Sequence, residues 1–262
     1  MLALDFDGVM CDALAECAAV TWHAGSGPHI ADVPRVGRAV AEVPPAFLTT
    51  FASVRPYCRT LEDFMVTNAV PAGRKVDRVV FEQYRDQLGR ARLAAQAEFG
   101  EQLRARWRTN EFQEWVALHT VYPGISELIH SSQQPVAIVS AKDAESIWAI
   151  LEHHGLAEHV HTVVGSCTDK RPALTALPDR SGEPVTFVDD NLANAIAADA
   201  LPRVQAWWAT WGYHSPEDMA AAARQGIRTI SLDRLAELQP LAAPSLPVRP
   251  ERADTHQQLS KA

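Results

Sequence analysis

The chain has 262 residues, 47% of them hydrophobic, which is enough for one large domain or two unequal ones with a sizeable core. Its formal net charge of −8 argues against a nucleic-acid or membrane-surface partner, which would call for clustered Lys and Arg. No basic leader and no apolar run of membrane length precedes or interrupts the chain, so a cytoplasmic protein is expected. Its four cysteines, Cys11, Cys17, Cys58 and Cys167, match no zinc spacing and read as buried thiols in a reducing compartment.

Leu2-Ala3-Leu4 reads as a buried strand, and Asp5-Phe6-Asp7-Gly8-Val9 follows it directly. Strand side chains alternate, so Asp5 and Asp7 project to one side, and Gly8 lets the chain turn away. Two carboxylates at the mouth of a sheet repel unless a cation joins them. Hard oxygen donors suit Mg²⁺, which commonly keeps a phosphoryl group as a co-ligand.

Asp12 is placed to cap a helix over roughly residues 13–23. The next hundred residues lack strand alternation. Pro44-Pro45 and Pro56 punctuate short helical pieces, Thr60 marks a helix start, and Pro71-Ala72-Gly73 a break. From Val76 onward, Val80, Tyr84, Leu88, Ala91, Ala95, Phe99, Leu103 and Trp107 recur at three- and four-residue steps, the mark of a long amphipathic helix with a break near Gly89 or Gly100.

From Tyr122 the texture changes. Strands are expected at 135–139, 161–164, 184–188, 204–208 and 227–230. Asp143 to His154 reads as a helix, and Ser215-Pro216 opens another with an N-cap serine and a proline in the first turn. His23, His153 and His154 show no ligand spacing and read as ordinary helix residues. Alternating strands and helices imply a Rossmann-like α/β fold, a parallel sheet with helices on both faces. The division expected is a core of residues 1–15 and 118–241, an all-α cap of residues 16–117 inserted after the first strand, and a disordered, proline-rich tail at 242–262.

Polar residues fall at the C-terminal ends of four of these strands, where open α/β sheets hold ligands. They are Asp5 and Asp7, then Ser140, then Lys170 in the turn after Val163-Val164, then Asp189-Asp190. In this order they resemble the four motifs of the haloacid-dehalogenase-like (HAD) hydrolase superfamily. Tyr122-Pro123-Gly124, Ser140-Ala141-Lys142 and Trp211-Gly212-Tyr213 are similar to stretches of its phosphoglycolate-phosphatase-like branch. The likeness covers about 1–15 and 118–240; the insertion is similar to the family's cap only in position and helical character.

The resemblance implies a Mg²⁺-dependent phosphatase acting on a small phosphorylated metabolite. Asp5 is then the nucleophile that forms an aspartyl phosphate. Asp7 is the proton carrier, and Ser140 and Lys170 stabilise phosphoryl charge. The metal would be held by Asp5, the backbone carbonyl of Asp7 and Asp190, with Asp189 assisting through a bound water. Ser140, Ala141, Lys142 and Lys170, together with Arg55 and Arg59 of the insertion, are the expected substrate contacts, since Arg offers a planar fork to a carboxylate or second phosphate. Asp7 separates this reading from the dehalogenases, which need no acid for an alkoxide leaving group. One departure stands out: where many relatives carry another acid four residues after the metal-binding one, this chain has Asn194. A phosphomutase, which passes the same phosphoryl group to a sugar, and a non-catalytic regulatory protein on the same fold are the alternatives. The oligomeric state stays open.

Overall fold

The computed structural model describes residues 1–27, 29–177 and 184–239; the tail expected at 242–262 lies outside the described residues. In chain order its elements are β1 (Leu2–Leu4), β2 (Cys11–Asp12), α1 (Leu14–Ser26), α2 (Val36–Ala41), α3 (Pro45–Val54), α4 (Leu61–Phe64), α5 (Arg78–Leu88), α6 (Arg90–Asn110) and α7 (Phe112–Val116). After these come β3 (Thr120–Val121), α8 (Ile125–Ser131), β4 (Val136–Val139), α9 (Ala144–His153), β5 (Val160–Val164), α10 (Lys170–Ala176), β6 (Val185–Asp189), α11 (Leu192–Asp199), β7 (Val204–Ala209), α12 (Pro216–Gln225) and β8 (Arg228–Ile230).

Six strands form one sheet in the order β5-β4-β1-β6-β7-β8, every adjacent pair parallel. The three residues of β1 are wholly buried because this strand is sandwiched between β4 and β6. Alternation sends Leu2 and Leu4, with Val136 and Ile138, to one face, where they meet Ile147 and Ile150 of α9. Ala3, Ala137 and Val139 face the other way, towards Leu174 of α10 and Ala198 of α11. Both faces are therefore apolar and covered, as a parallel sheet requires. The chain winds from β1 to β4 and β5 on one side and to β6, β7 and β8 on the other, which opens a crevice at the carboxyl end of β1.

Between β1 and β4 stands the helical insertion. The chain leaves and re-enters through a two-residue antiparallel ribbon, β2 with β3, that pairs Cys11 with Val121 and Asp12 with Thr120. This ribbon is too short to show in a periodicity and was absent from the sequence-based expectation. Helix α1 is apolar nearly all round and buried, which makes it the axis of the insertion.

Three local expectations change. Helix α1 starts at Leu14 with Ala13 as N-cap; Asp12 contributes one bond, accepting the Leu14 N–H at 2.9 Å, and its carboxylate is shared with the Tyr213 hydroxyl. The long amphipathic stretch breaks at Gly89, whose φ of +73° suits glycine, and α6 runs straight through Gly100. Gly100 is there for close approach: a Cβ on it would come within 2.9 Å of Val20 on α1. Of the four cysteines, Cys11, Cys17 and Cys58 are buried thiols as expected, whereas Cys167 is partly exposed. Among the described residues no helix is long and apolar enough to cross a membrane.

Candidate active site

Asp5 is carried on the last ladder bond of β1: its N–H donates to Val188 O at 2.9 Å. One carboxylate oxygen accepts the Phe6 N–H at 2.7 Å and the other lies 2.8 Å from Lys170 Nζ. The chain then coils tightly, because Phe6 O accepts the N–H groups of Val9, Met10 and Cys11. Gly8 at the apex has φ +91°, and a Cβ there would sit 2.1 Å from Asp190 Oδ2. Glycine is required on both counts, conformation and space.

Lys170 opens α10 and is nine-tenths buried. Its ammonium lies 2.7 Å from Asp189 and 2.8 Å from Asp5. Burial works against the charge, but Asp189 and Asp5 outweigh it and hold the ammonium above the usual lysine range. Asp189, wholly buried at the end of β6, also accepts the Asn191 N–H at 2.8 Å and the Asn194 side-chain amide at 3.1 Å. Asn194, which departs from the acid found in many relatives, thus acts here as a donor that fixes Asp189. Asp190 accepts the Tyr213 N–H at 2.6 Å, while its own carbonyl accepts the Trp208 indole N–H at 2.7 Å. Burial pushes the carboxyls of Asp189 and Asp190 up, despite Lys170 beside the first and Arg55 near the second.

The carboxylates of Asp5, Asp189 and Asp190 each present an oxygen within 4.8 Å of the others, all three residues buried. One lysine ammonium contacts two of them and leaves Asp190 with a backbone donor. A buried set of oxygen donors with this excess of negative charge fits a divalent cation of the Mg²⁺ type. The side chain of Asp7 is not part of the trio. Its Oδ2 lies 3.4 Å from Lys142 Nζ and its Oδ1 is buried without a hydrogen-bond partner.

Ser140 and Lys142 come from the loop after β4. The Ser140 N–H donates to Val164 O and its carbonyl accepts the Cys167 N–H, both at 2.9 Å, so the loop is tied to the turn that presents Lys170. Ser140, Ala141, Lys142 and Lys170 line one cleft with Asp5, Asp7 and Asp190. The two arginines expected in the cleft part company. Arg55 is buried, with its guanidinium 4.2 Å from the centre of the Tyr213 ring and 4.8 Å from that of Phe64, and its Nε has no hydrogen-bond partner. Arg59 is exposed at the rim.

Three residues in or against the cleft have no counterpart in the sequence-based site. Tyr213 stacks on Arg55, gives its N–H to Asp190 and its hydroxyl to Asp12, and so links sheet, ribbon and insertion. Arg104 of α6 is buried and binds Glu16 of α1 through Nε at 2.6 Å and Nη2 at 3.1 Å. The signal for this pair was a lone glutamate on the otherwise apolar start of α1, set opposite an arginine on the buried side of α6.

The model of the haloacid dehalogenase-like hydrolase family matches residues 1–201 of the chain. Among solved structures, a predicted phosphatase from Clostridium acetobutylicum superposes with a TM-score of 0.60 at 16% identity, over 90% of this chain and 95% of that one. A haloacid dehalogenase-like family protein from Streptococcus pneumoniae gives a TM-score of 0.52 at 14% identity, covering 91% and 97%. A predicted phosphoglycolate phosphatase from Haemophilus somnus gives 0.50 at 15% identity, covering 91% and 95%. At such identities the likeness is one of fold. The comparison with curated proteins returned no match.

Proposed function

The chain belongs to the haloacid dehalogenase-like hydrolase family, and from that premise we propose that it is a Mg²⁺-dependent phosphatase that hydrolyses a small phosphorylated metabolite through an aspartyl phosphate. The observation that carries this reading is the buried carboxylate trio, Asp5, Asp189 and Asp190, in the crevice at the end of β1, with the ammonium of Lys170 between the first two. Solved structures of this fold described as a predicted phosphatase and a predicted phosphoglycolate phosphatase support the substrate class.

Asp5 Oδ attacks phosphorus as the bond from phosphorus to the leaving oxygen breaks, and Asp7 delivers its proton to that oxygen. In the second half, Asp7 takes a proton from water as the water oxygen bonds to phosphorus. As it does so the bond from phosphorus to Asp5 Oδ breaks, which regenerates the Asp5 carboxylate and releases inorganic phosphate. Lys170 keeps Asp5 ionised and meets phosphoryl charge, while the Ser140 hydroxyl donates to a non-bridging oxygen. Asp5, Asp190 and the Asp7 carbonyl would hold a divalent metal, which would neutralise negative charge as nucleophile and phosphate approach. Asp189 serves chiefly to aim Lys170, because its oxygens are occupied by Lys170, Asn191 and Asn194.

On the insertion side, Arg55 lines the cleft with its Nε unpaired, a position from which its guanidinium would meet a second anionic group of the substrate, and its two aromatic neighbours keep it in place. Arg59, Ala141 and Lys142 complete the rim and wall. The test is phosphate release from p-nitrophenyl phosphate and from a panel of phosphorylated metabolites. Release with Mg²⁺ that stops with EDTA and returns with added Mg²⁺ is expected; release indifferent to EDTA, or an isomerised sugar phosphate without free phosphate, overturns the reading.

A further inference from the structure

The proton carrier Asp7 is held at one oxygen only, by Lys142, and Lys142 is itself held by a residue with no place in the reaction so far. Lys142 Nζ stands 3.4 Å from Asp7 Oδ2 and 3.9 Å from Glu16 Oε2. The Lys142 side chain is almost wholly buried and the Glu16 side chain wholly so. Glu16 in turn receives Arg104 through two nitrogens, the Trp115 indole N–H at 3.5 Å and the Cys17 thiol at 3.4 Å. Burial pushes a carboxyl towards its neutral form, but here Arg104 and Lys142 outweigh it and hold Glu16 well below the usual carboxylate range. Glu16 is therefore a fixed anion with four partners, Cys17, Arg104 and Trp115 from three helices and Lys142 from the loop after β4.

Resting on the phosphatase reading above, the geometry points to Glu16 as a positioning residue for the acid–base step, acting through Lys142 on the orientation of Asp7. The reasoning is steric and directional. A lysine side chain has four rotatable bonds and by itself does not define where its ammonium rests. Glu16, anchored on its far side by Arg104, confines that ammonium to the space between the two carboxylates. Lys142 then engages Oδ2 of Asp7 and so fixes the turn of the carboxylate, whose Oδ1 is buried without a hydrogen-bond partner of its own. Glu16 and Arg104 belong to helices of the insertion, Asp7 and Lys142 to loops at the sheet. The path therefore makes correct placement of the proton carrier depend on how the insertion is packed.

The test uses leaving groups of different basicity, since an alkoxide needs the proton of a general acid and p-nitrophenolate hardly does. kcat and KM are measured with p-nitrophenyl phosphate and with glycerol 2-phosphate for the wild type, Glu16→Gln, Glu16→Asp and Lys142→Met. We expect Glu16→Gln to lose on the order of tenfold more kcat with the glycerol ester than with the aryl ester, a part of the effect of a general acid. KM should change little and Glu16→Asp should recover most of the loss. Lys142→Met leaves the Glu16–Arg104 pair intact, so it guards against a folding defect and should show the same selectivity. Adding Glu16→Gln to it should cause no further selective loss. Equal losses with both esters, or a loss confined to KM, overturn the positioning role while leaving the phosphatase reading intact. A wild type that cleaves neither ester overturns that reading and this inference with it.

Discussion

The sheet end and the helical insertion both contribute charged groups to one cleft, and they hold them by different means. At the sheet end, Asp5 and Ser140 sit one residue beyond a strand and are fixed by ladder bonds to Val188 and Val164; Asp190 directly follows β6. In the insertion, Arg55 is fixed by two aromatic rings and Arg104 by Glu16, 88 residues away in sequence. Backbone anchoring sets the sheet end by bonds within a few residues of each strand. Side-chain anchoring makes the insertion's cations depend on packing across the fold, as expected of the part proposed to meet the leaving group.

The sharpest way to break this comparison is at Asp5, the proposed nucleophile. Asp5→Asn should reduce phosphate release by roughly 10⁴-fold or more, the usual cost of removing a covalent catalyst. Lys170 keeps Asp189 as a partner in that variant, so circular dichroism and the unfolding midpoint should stay near those of the wild type. Substantial residual turnover would remove Asp5 from its role.

A smaller effect is expected from the insertion, and it should fall on binding. Arg55→Ala is expected to raise KM by about ten- to a hundred-fold for a substrate with a second anionic group, the worth of a charge-assisted hydrogen bond. Exposed Arg59, changed in the same way, should shift KM by less than about threefold, in keeping with a solvated charge. If Arg55→Ala instead lowered kcat with KM unchanged, the division of labour between the two regions would be wrong.

The smallest effect concerns the seam, and it is one of stability. His119 lies between α7 and β3, buried, with Nδ1 3.2 Å from the Trp115 carbonyl and Nε2 without a partner. Burial, aided by the charge on Lys142, lowers its pKa from 6.5 to about 4. A folded-state value below the unfolded one means that the unfolded chain takes up the proton first as pH falls. Stability from this group is full above about pH 6.5 and is lost on the way down to about pH 4. Urea unfolding of the wild type at pH 7 and pH 4.5 should therefore show a decrease, of which His119→Phe removes about 2 kcal/mol. An identical decrease in the variant would show that His119 is not the group responsible.

Much of the sheet end was legible without coordinates. A short apolar run followed by Asp5-Phe6-Asp7-Gly8 specifies strand, side of projection and turn, because each is decided by neighbours within two residues. The same holds for Asp189-Asp190 after β6 and for the start of α12, where Ser215 is the N-cap as expected and Asp218 completes a capping box. The division into core and cap at 16–117 was an expectation of the same kind, drawn from the loss of strand alternation, and the helices between β2 and β3 run from Leu14 to Val116.

What escaped the sequence were relations in which one side chain fixes another across the fold without a motif to mark it. Arg55 and Arg59, four residues apart, looked alike in the chain; only the packing of Tyr213 and Phe64 decided that the first is enclosed and the second exposed. Asn194 read as a missing acid until its amide was found on Asp189. Glu16 and Arg104 gave no motif, since the pairing of two buried charges depends on the crossing of α1 and α6 at Gly100. By itself the sequence determined the fold class and the carboxylates at the strand ends, because backbone direction and hydrogen bonding act over a few residues. The tertiary structure alone decided which cations are free to meet a substrate and which are already spent on a buried partner, because desolvation and Coulomb attraction depend on distance in space.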